Sequence, residues 1–140
     1  MPALSSYDYA VVRVVPDVAR GEFFNAGIIL FARTHGALLA RTWLDEARLS
    51  ALAPDADVSA IRAHLRSIER ICAGGAEAGP HGALSPSERF LWLVAPRSTV
   101  IQVSPVHSGL CDDPAAEADR LFARFVAPAR ERPRPLSPEP

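Results

Sequence analysis

Residues 26–44 read AGIILFAR-THG-ALLARTWL. The outer segments are apolar and of strand length. Between them, Thr34-His35-Gly36 is a three-residue connection with glycine last, a common way to close a hairpin. Ala26–Arg33 and Ala37–Leu44 are therefore expected to be antiparallel neighbours. Upstream, Tyr7–Val15 (YDYAVVRVV) is rich in aromatic and β-branched residues and free of Gly and Pro, which predicts another strand. Tyr7, Tyr9, Val11, Arg13 and Val15 share one face, and Ala10, Val12 and Val14 the other. Both faces are largely apolar, so this strand is expected to be central, with Arg13 a charge among apolar neighbours. Thr99–Val103 (TVIQV) is the fourth expected strand.

Helix signals fill the remainder. Asp45 is placed to cap a short helix through Ala53, before Pro54. Asp57 caps the next, to about Ala73, with Val58, Ile61, Leu65, Ile68 and Cys72 at core spacing and Arg62, Arg66, Glu69 and Arg70 on a solvated face. Gly74-Gly75 stops it. Ser85-Pro86-Ser87-Glu88 is a capping box with proline in the first turn, opening a helix to about Ala95. Asp113-Pro114 opens a last helix to about Val126. Ala76–Leu84 and Ser104–Leu110 read as loops. Strands, then helices, then a strand and a helix predict an α+β fold. It is expected as a single domain over residues 1–126, with an antiparallel sheet of about four strands and helices packed on one face. Residues 127–140 hold five of the 13 prolines and three arginines, and are expected to form a disordered Pro/Arg-rich tail.

A chain of 140 residues, 49% apolar, is long enough for one domain with its own core. Fifteen basic residues face 16 acidic ones, which argues against a nucleic-acid binder and leaves no polybasic segment for anionic membranes. No apolar run approaches a membrane span. All the basic residues are arginines, so Schiff-base and P-loop lysine chemistry are excluded. Cys72 and Cys111 make no disulfide framework, and Met1–Ser6 carries no signal pattern. A cytoplasmic protein with reduced thiols is expected.

Two stretches concentrate polar residues: Arg20, Glu22 and Asn25, and residues 96–109. Arg97 with the hydroxyls of Ser98 and Thr99 suits a phosphate or carboxylate, because a guanidinium offers a two-pronged donor. The competing reading has the hydroxyls satisfying backbone groups at a strand start. Arg13 and Arg20 would extend such an anion site, with His107 as acid or base. His107 beside Ser98 or Ser104 has the residue types of a base–nucleophile pair, but there is no Gly-x-Ser-x-Gly elbow and no third residue to orient it. His107, Cys111, Asp112 and Asp113 lack the spacing of a metal set, and the two aspartates read better as helix caps; neither metal nor cofactor is expected. Glu22 is expected to pair with Arg20 or Arg13. Phe23-Phe24, after Gly21, are either exposed partner-binding anchors or core.

Several blocks together resemble a known family. They are Tyr7-Asp8-Tyr9-Ala10-Val11-Val12-Arg13-Val14-Val15-Pro16, Arg20-Gly21-Glu22-Phe23, Asn25-Ala26-Gly27-Ile28, the segment 82–89 (GALSPSER), Pro96–Gln102 and Ser104–Gly109. The combination is similar to the domain-of-unknown-function family numbered 3037, over residues 7–126. That family is bacterial, has no established activity, and is often encoded beside a HipA-like kinase protein. The resemblance thus implies an accessory role with such a kinase as partner. Two classes of function follow. One is an interaction module, favoured by the lack of a complete catalytic constellation. The other is an enzyme or ligand-binding domain for a phosphorylated or carboxylated small molecule, using Arg97, Ser98, Thr99, His107, Arg13 and Arg20. The sequence leaves open whether the chain is catalytic.

Overall fold

The computed structural model describes residues 3–128. Strands β1 (Ser5–Val14), β2 (Phe24–Ala32) and β3 (Ala37–Thr42) form an antiparallel meander. The β2–β3 turn passes through a 3-10 turn at Arg33–His35, and Gly36 closes it at φ 60°, where a side chain would be strained. The sheet runs β3-β2-β1. The far edge of β1 is shared by two short strands, β4 (Ile101–Val103) against Val12–Val14 and β5 (His107–Cys111) against Ser5–Tyr9. The sheet therefore has five strands, and most of the expected Ser104–Leu110 loop is strand β5. HSGLC lacks the apolar alternation that announces a strand, and it is held by pairing instead. The Tyr7 ring lies against Gly109, where a Cβ would come within 2.6 Å of it.

Between β4 and β5 the ladder is interrupted at Pro105, which has no N–H to donate. Ser104 carries the pairing across the break. Its N–H donates to the Val11 carbonyl (2.8 Å), and its Oγ accepts from the Val11 N–H (2.8 Å). At the opposite edge, the Thr42 N–H and hydroxyl both donate to Glu69 Oε1 (3.2 and 2.8 Å).

Helices α1 (Glu46–Leu52), α2 (Val58–Ala73), α3 (Pro86–Leu93) and α4 (Pro114–Phe125) flank this sheet. Asp45, Asp57, Ser85 and Asp113 cap them through side-chain oxygens, and Ser85 and Glu88 form the reciprocal capping box. Helices α1–α3 pack on Val12, Val14, Ile29, Phe31 and Leu38. Helix α4 packs on the other face, its Ala118, Leu121, Phe122 and Phe125 against Tyr7, Val11, Ile28 and Leu30. The antiparallel α+β sheet is as expected, and helices cover its second face as well as the first. The reason is in β1 and β2: with apolar residues on both sides, one layer of helices would leave half of them wet.

Two side chains fasten these layers. Arg89 is buried, and its Nη1 donates to the carbonyls of Ile71 (2.6 Å) and Cys72 (2.8 Å) while Nε donates to Leu84 (3.2 Å). A cation thereby satisfies carbonyls at the negative end of α2. On the other face, the Tyr7 hydroxyl donates to Glu117, which also accepts from Arg120 Nε (2.7 Å) and Nη2 (2.9 Å). Cys72 and Cys111 are free and buried in the two separate cores, on opposite faces of the sheet. Burial pushes the Cys72 thiol up to about 12. Of the expected tail, residues 129–140 lie outside the described residues. Ala127 still belongs to the fold, donating its N–H to Phe122 (3.0 Å).

Ser104→Ala leaves the buried Val11 N–H without an acceptor and is expected to cost about 1–3 kcal/mol in urea unfolding. A loss within error would show that the side chain is dispensable to the ladder. Burial, and then the Glu117 carboxylate, push the Tyr7 hydroxyl from 10.0 up to about 12. The neutral hydroxyl therefore favours the folded state fully below pH 10, and that contribution is lost as pH rises through about 12. Tyr7→Phe is expected to lose less stability than the unaltered protein across that window in thermal melts; parallel losses would discount the contact.

Candidate functional site

Where α3 ends, Pro96 turns the chain and Arg97 folds back onto the helix. Its Nη2 donates to the Trp92 carbonyl (2.6 Å), and its guanidinium stacks 4.2 Å over the Trp92 ring. The His81 ring lies 4.0 Å from the same indole. The Thr99 hydroxyl donates to the Ile101 carbonyl (2.8 Å), and Gln102 Nε2 donates to the Thr99 carbonyl (2.9 Å). Ser98 is exposed. Within the expected anion trio, Arg97 is thus engaged with α3 and Thr99 with its own strand. A cleft of about 210 Å³ nearby is lined by Pro16, Asp57, Ile61, His64, Val100 and Ile101, without any member of the trio. His64, at its rim, is held below the usual histidine value by burial and then by the Arg97 charge.

His107 opens β5 directly opposite Tyr9, their rings 5.4 Å apart, and Tyr9 lies 6.1 Å from Phe125. Ile101 pairs with Val14 at the other end of β1. His107 and the Arg97 segment are therefore separated along β1 by five residues, about 16 Å at roughly 3.3 Å each. Ser104, the possible nucleophile for His107, has its hydroxyl bonded to Val11 and to the Pro105 carbonyl (2.8 Å). Arg20 forms an exposed ion pair with Glu22 (2.6 Å).

What the fold does gather lies across three strands. Arg13 is opposite Asn25 on β2 and Gln102 on β4, so the three side chains form one row on the α4 face. The register shifts between Val12 and Arg13. Such a bulge increases local twist and re-aims the side chain that follows it. The Arg13 guanidinium sits 4.2 Å over the Phe23 ring, and its Nε is buried without a hydrogen-bond partner. Asn25 Nδ2 donates to the Phe125 carbonyl at the end of α4 (3.0 Å). Phe23 is 47% exposed, whereas Phe24, one residue on, is buried in the core against the α1–α3 side. Alternation separates the two phenylalanines: Phe23 stays partly exposed on the Arg13 side and Phe24 is core.

A family model described as "Protein of unknown function (DUF3037)" matches residues 9–126. The chain belongs to this family. The DUF3037 match runs from β1 through α4 and takes in the Arg13 row, the α3 end and β5. No curated protein and no solved structure matches the chain. Among the described residues, no helix is long and apolar enough to cross a membrane, and no group of three or more His, Cys, Asp or Glu is placed to hold a metal ion.

Asn25 and Gln102 as flanks of Arg13, and Trp92 with His64 as neighbours of Arg97, are the residues that sequence reasoning missed. The paired register of β1, β2 and β4 was the signal for the first two. Arg97→Ala removes the charge facing His64 and is expected to raise the His64 pKa toward the ordinary histidine value, read by NMR titration of the ring protons. An unmoved pKa would show that burial alone sets it.

Proposed function

We propose that this DUF3037 domain is an interaction module, an accessory to a partner protein in the bacterial cytoplasm, with the end of α3 as its contact surface. One observation carries the reading: Leu91 and Trp92, adjacent on α3, are 65% and 41% exposed. Solvent-facing tryptophan beside leucine on a rigid helix is the composition of an interface anchor, and tryptophan and arginine are the residues enriched among those that dominate binding. The Arg97 guanidinium and the His81 ring hold the indole in place. A ring already fixed loses little rotamer freedom when a partner covers it. The partner we assign is the HipA-like kinase protein that the family resemblance implies; its support is that resemblance. The rival reading of Arg97, Ser98 and Thr99 as an anion site is disfavoured because the Arg97 and Thr99 side chains already have backbone partners.

Co-purification with the neighbouring kinase protein tests this. The intact chain is expected to capture it, and Trp92→Ala or Leu91→Glu to weaken capture roughly thirtyfold, as for a hot-spot truncation of about 2 kcal/mol. Leu91 is solvent-facing, so Leu91→Glu should leave the melting temperature unchanged, whereas Trp92→Ala also gives up the Arg97 and His81 contacts and should lower it slightly. Equal capture by both variants, or none by the intact chain, rejects the proposal.

A further inference from the structure

We propose that Arg13 is the anchor of a second site, independent of the Trp92 surface, that binds a carboxylate. Arg13 lies in the middle strand of the sheet, and its Nε is closed off from water with no acceptor within reach. The ion pairs found among the described residues involve Arg20, Arg41, Arg48, Arg62 and Arg120, not Arg13. Arg89 shows what this fold does with a buried guanidinium that serves structure: it gives it three carbonyls. A buried cationic N–H without an acceptor is a cost to the folded state, and an apolar side chain of similar length would avoid it. Arg13 as a whole is only partly buried, so an oxygen ligand from outside can approach the guanidinium that the protein leaves without an acceptor.

The surroundings fit a carboxylate. The guanidinium carbon lies 4.2 Å from the Phe23 ring centroid, so the aromatic ring screens one side of it. On either side stand Asn25 and Gln102. Each amide nitrogen is anchored by one hydrogen bond to a backbone carbonyl, at 3.0 and 2.9 Å, and each retains a second N–H. A planar two-oxygen anion matches the fork of a single arginine. A phosphate dianion would call for a second cation, and Arg20 in the adjoining loop is already paired with Glu22. The carboxylate can belong to a free small acid or to an acidic side chain of a partner.

The test uses the full-length, 15N-labelled chain. It is titrated with acetate, benzoate, capped glutamate (N-acetyl, amide) and inorganic phosphate at constant ionic strength. The readouts are the Arg13 Nε–H signal, assigned by its disappearance in Arg13→Met, and the side-chain amides of Asn25 and Gln102. The expected result is a saturable shift of these signals with carboxylates, at least threefold weaker with phosphate. Arg13→Lys should bind at least tenfold more weakly than the unaltered chain. Arg13→Met should melt at the same temperature or higher and show no carboxylate-dependent stabilisation. Stronger response to benzoate and acetate than to capped glutamate assigns a small-molecule acid; the reverse assigns a partner's side chain. A non-saturable response, a phosphate response equal to that of the carboxylates, or full binding by Arg13→Lys overturns the site. So does Arg13→Met if it retains the response, or if it fails to fold while Arg13→Lys folds and binds as the unaltered chain does.

Discussion

The two hydrogen bonds between Ser104 and Val11 hold the architecture together. β1 is a ten-residue strand with helices over both faces, so its backbone donors and acceptors have little water to turn to. One edge is satisfied by β2 from Asp8 to Val14. The other is met by two short strands that cannot run on through Pro105, and Ser104 keeps that edge paired where the proline interrupts it. The same break sets the geography of the polar residues. It sends residues 97–99 past one end of β1 and brings His107 to Tyr9 near the other, leaving Arg13 as the charged residue between them.

Arg13 and Arg89 make an instructive pair, because they share a side chain and differ in what surrounds it. Arg89 fills the C-terminus of a helix, where carbonyls converge and the helix field favours positive charge. Gly74 belongs to that arrangement, since a Cβ there would stand 2.8 Å from the Arg89 guanidinium. Arg13 lies on a sheet, where backbone groups are already paired with neighbouring strands and an aromatic ring is its partner. The guanidinium is given backbone acceptors in one case and has a buried N–H without one in the other.

Local chemistry was legible in the sequence. Asp45, Asp57, Ser85 and Asp113 cap helices through contacts within three residues of themselves, and the Thr34–Gly36 turn closes its hairpin in the same short range. The central position of β1 could be read from its two apolar faces. Features made at long range were not. β5 exists because of a strand about a hundred residues earlier, and its own composition, His107-Ser108-Gly109, signals a loop. The placement of α4 on the second face, the Asn25–Arg13–Gln102 row and the stacking of Arg97 on Trp92 depend on which strands become neighbours and how helices pack on them. Residue type pointed to Arg13 and Arg97 alike; only the fold distinguishes the one with backbone partners from the one without.

Both outer margins of the sheet carry features that hinder further growth. β4 and β5 are three and five residues long, with Pro105 in the gap, and at the β3 margin the Thr42 N–H is taken by Glu69. Open margins are where unrelated chains add strands and where fibrils begin. Short edge strands, a proline in the gap and an edge N–H already taken are the means by which sheets discourage a further strand from pairing.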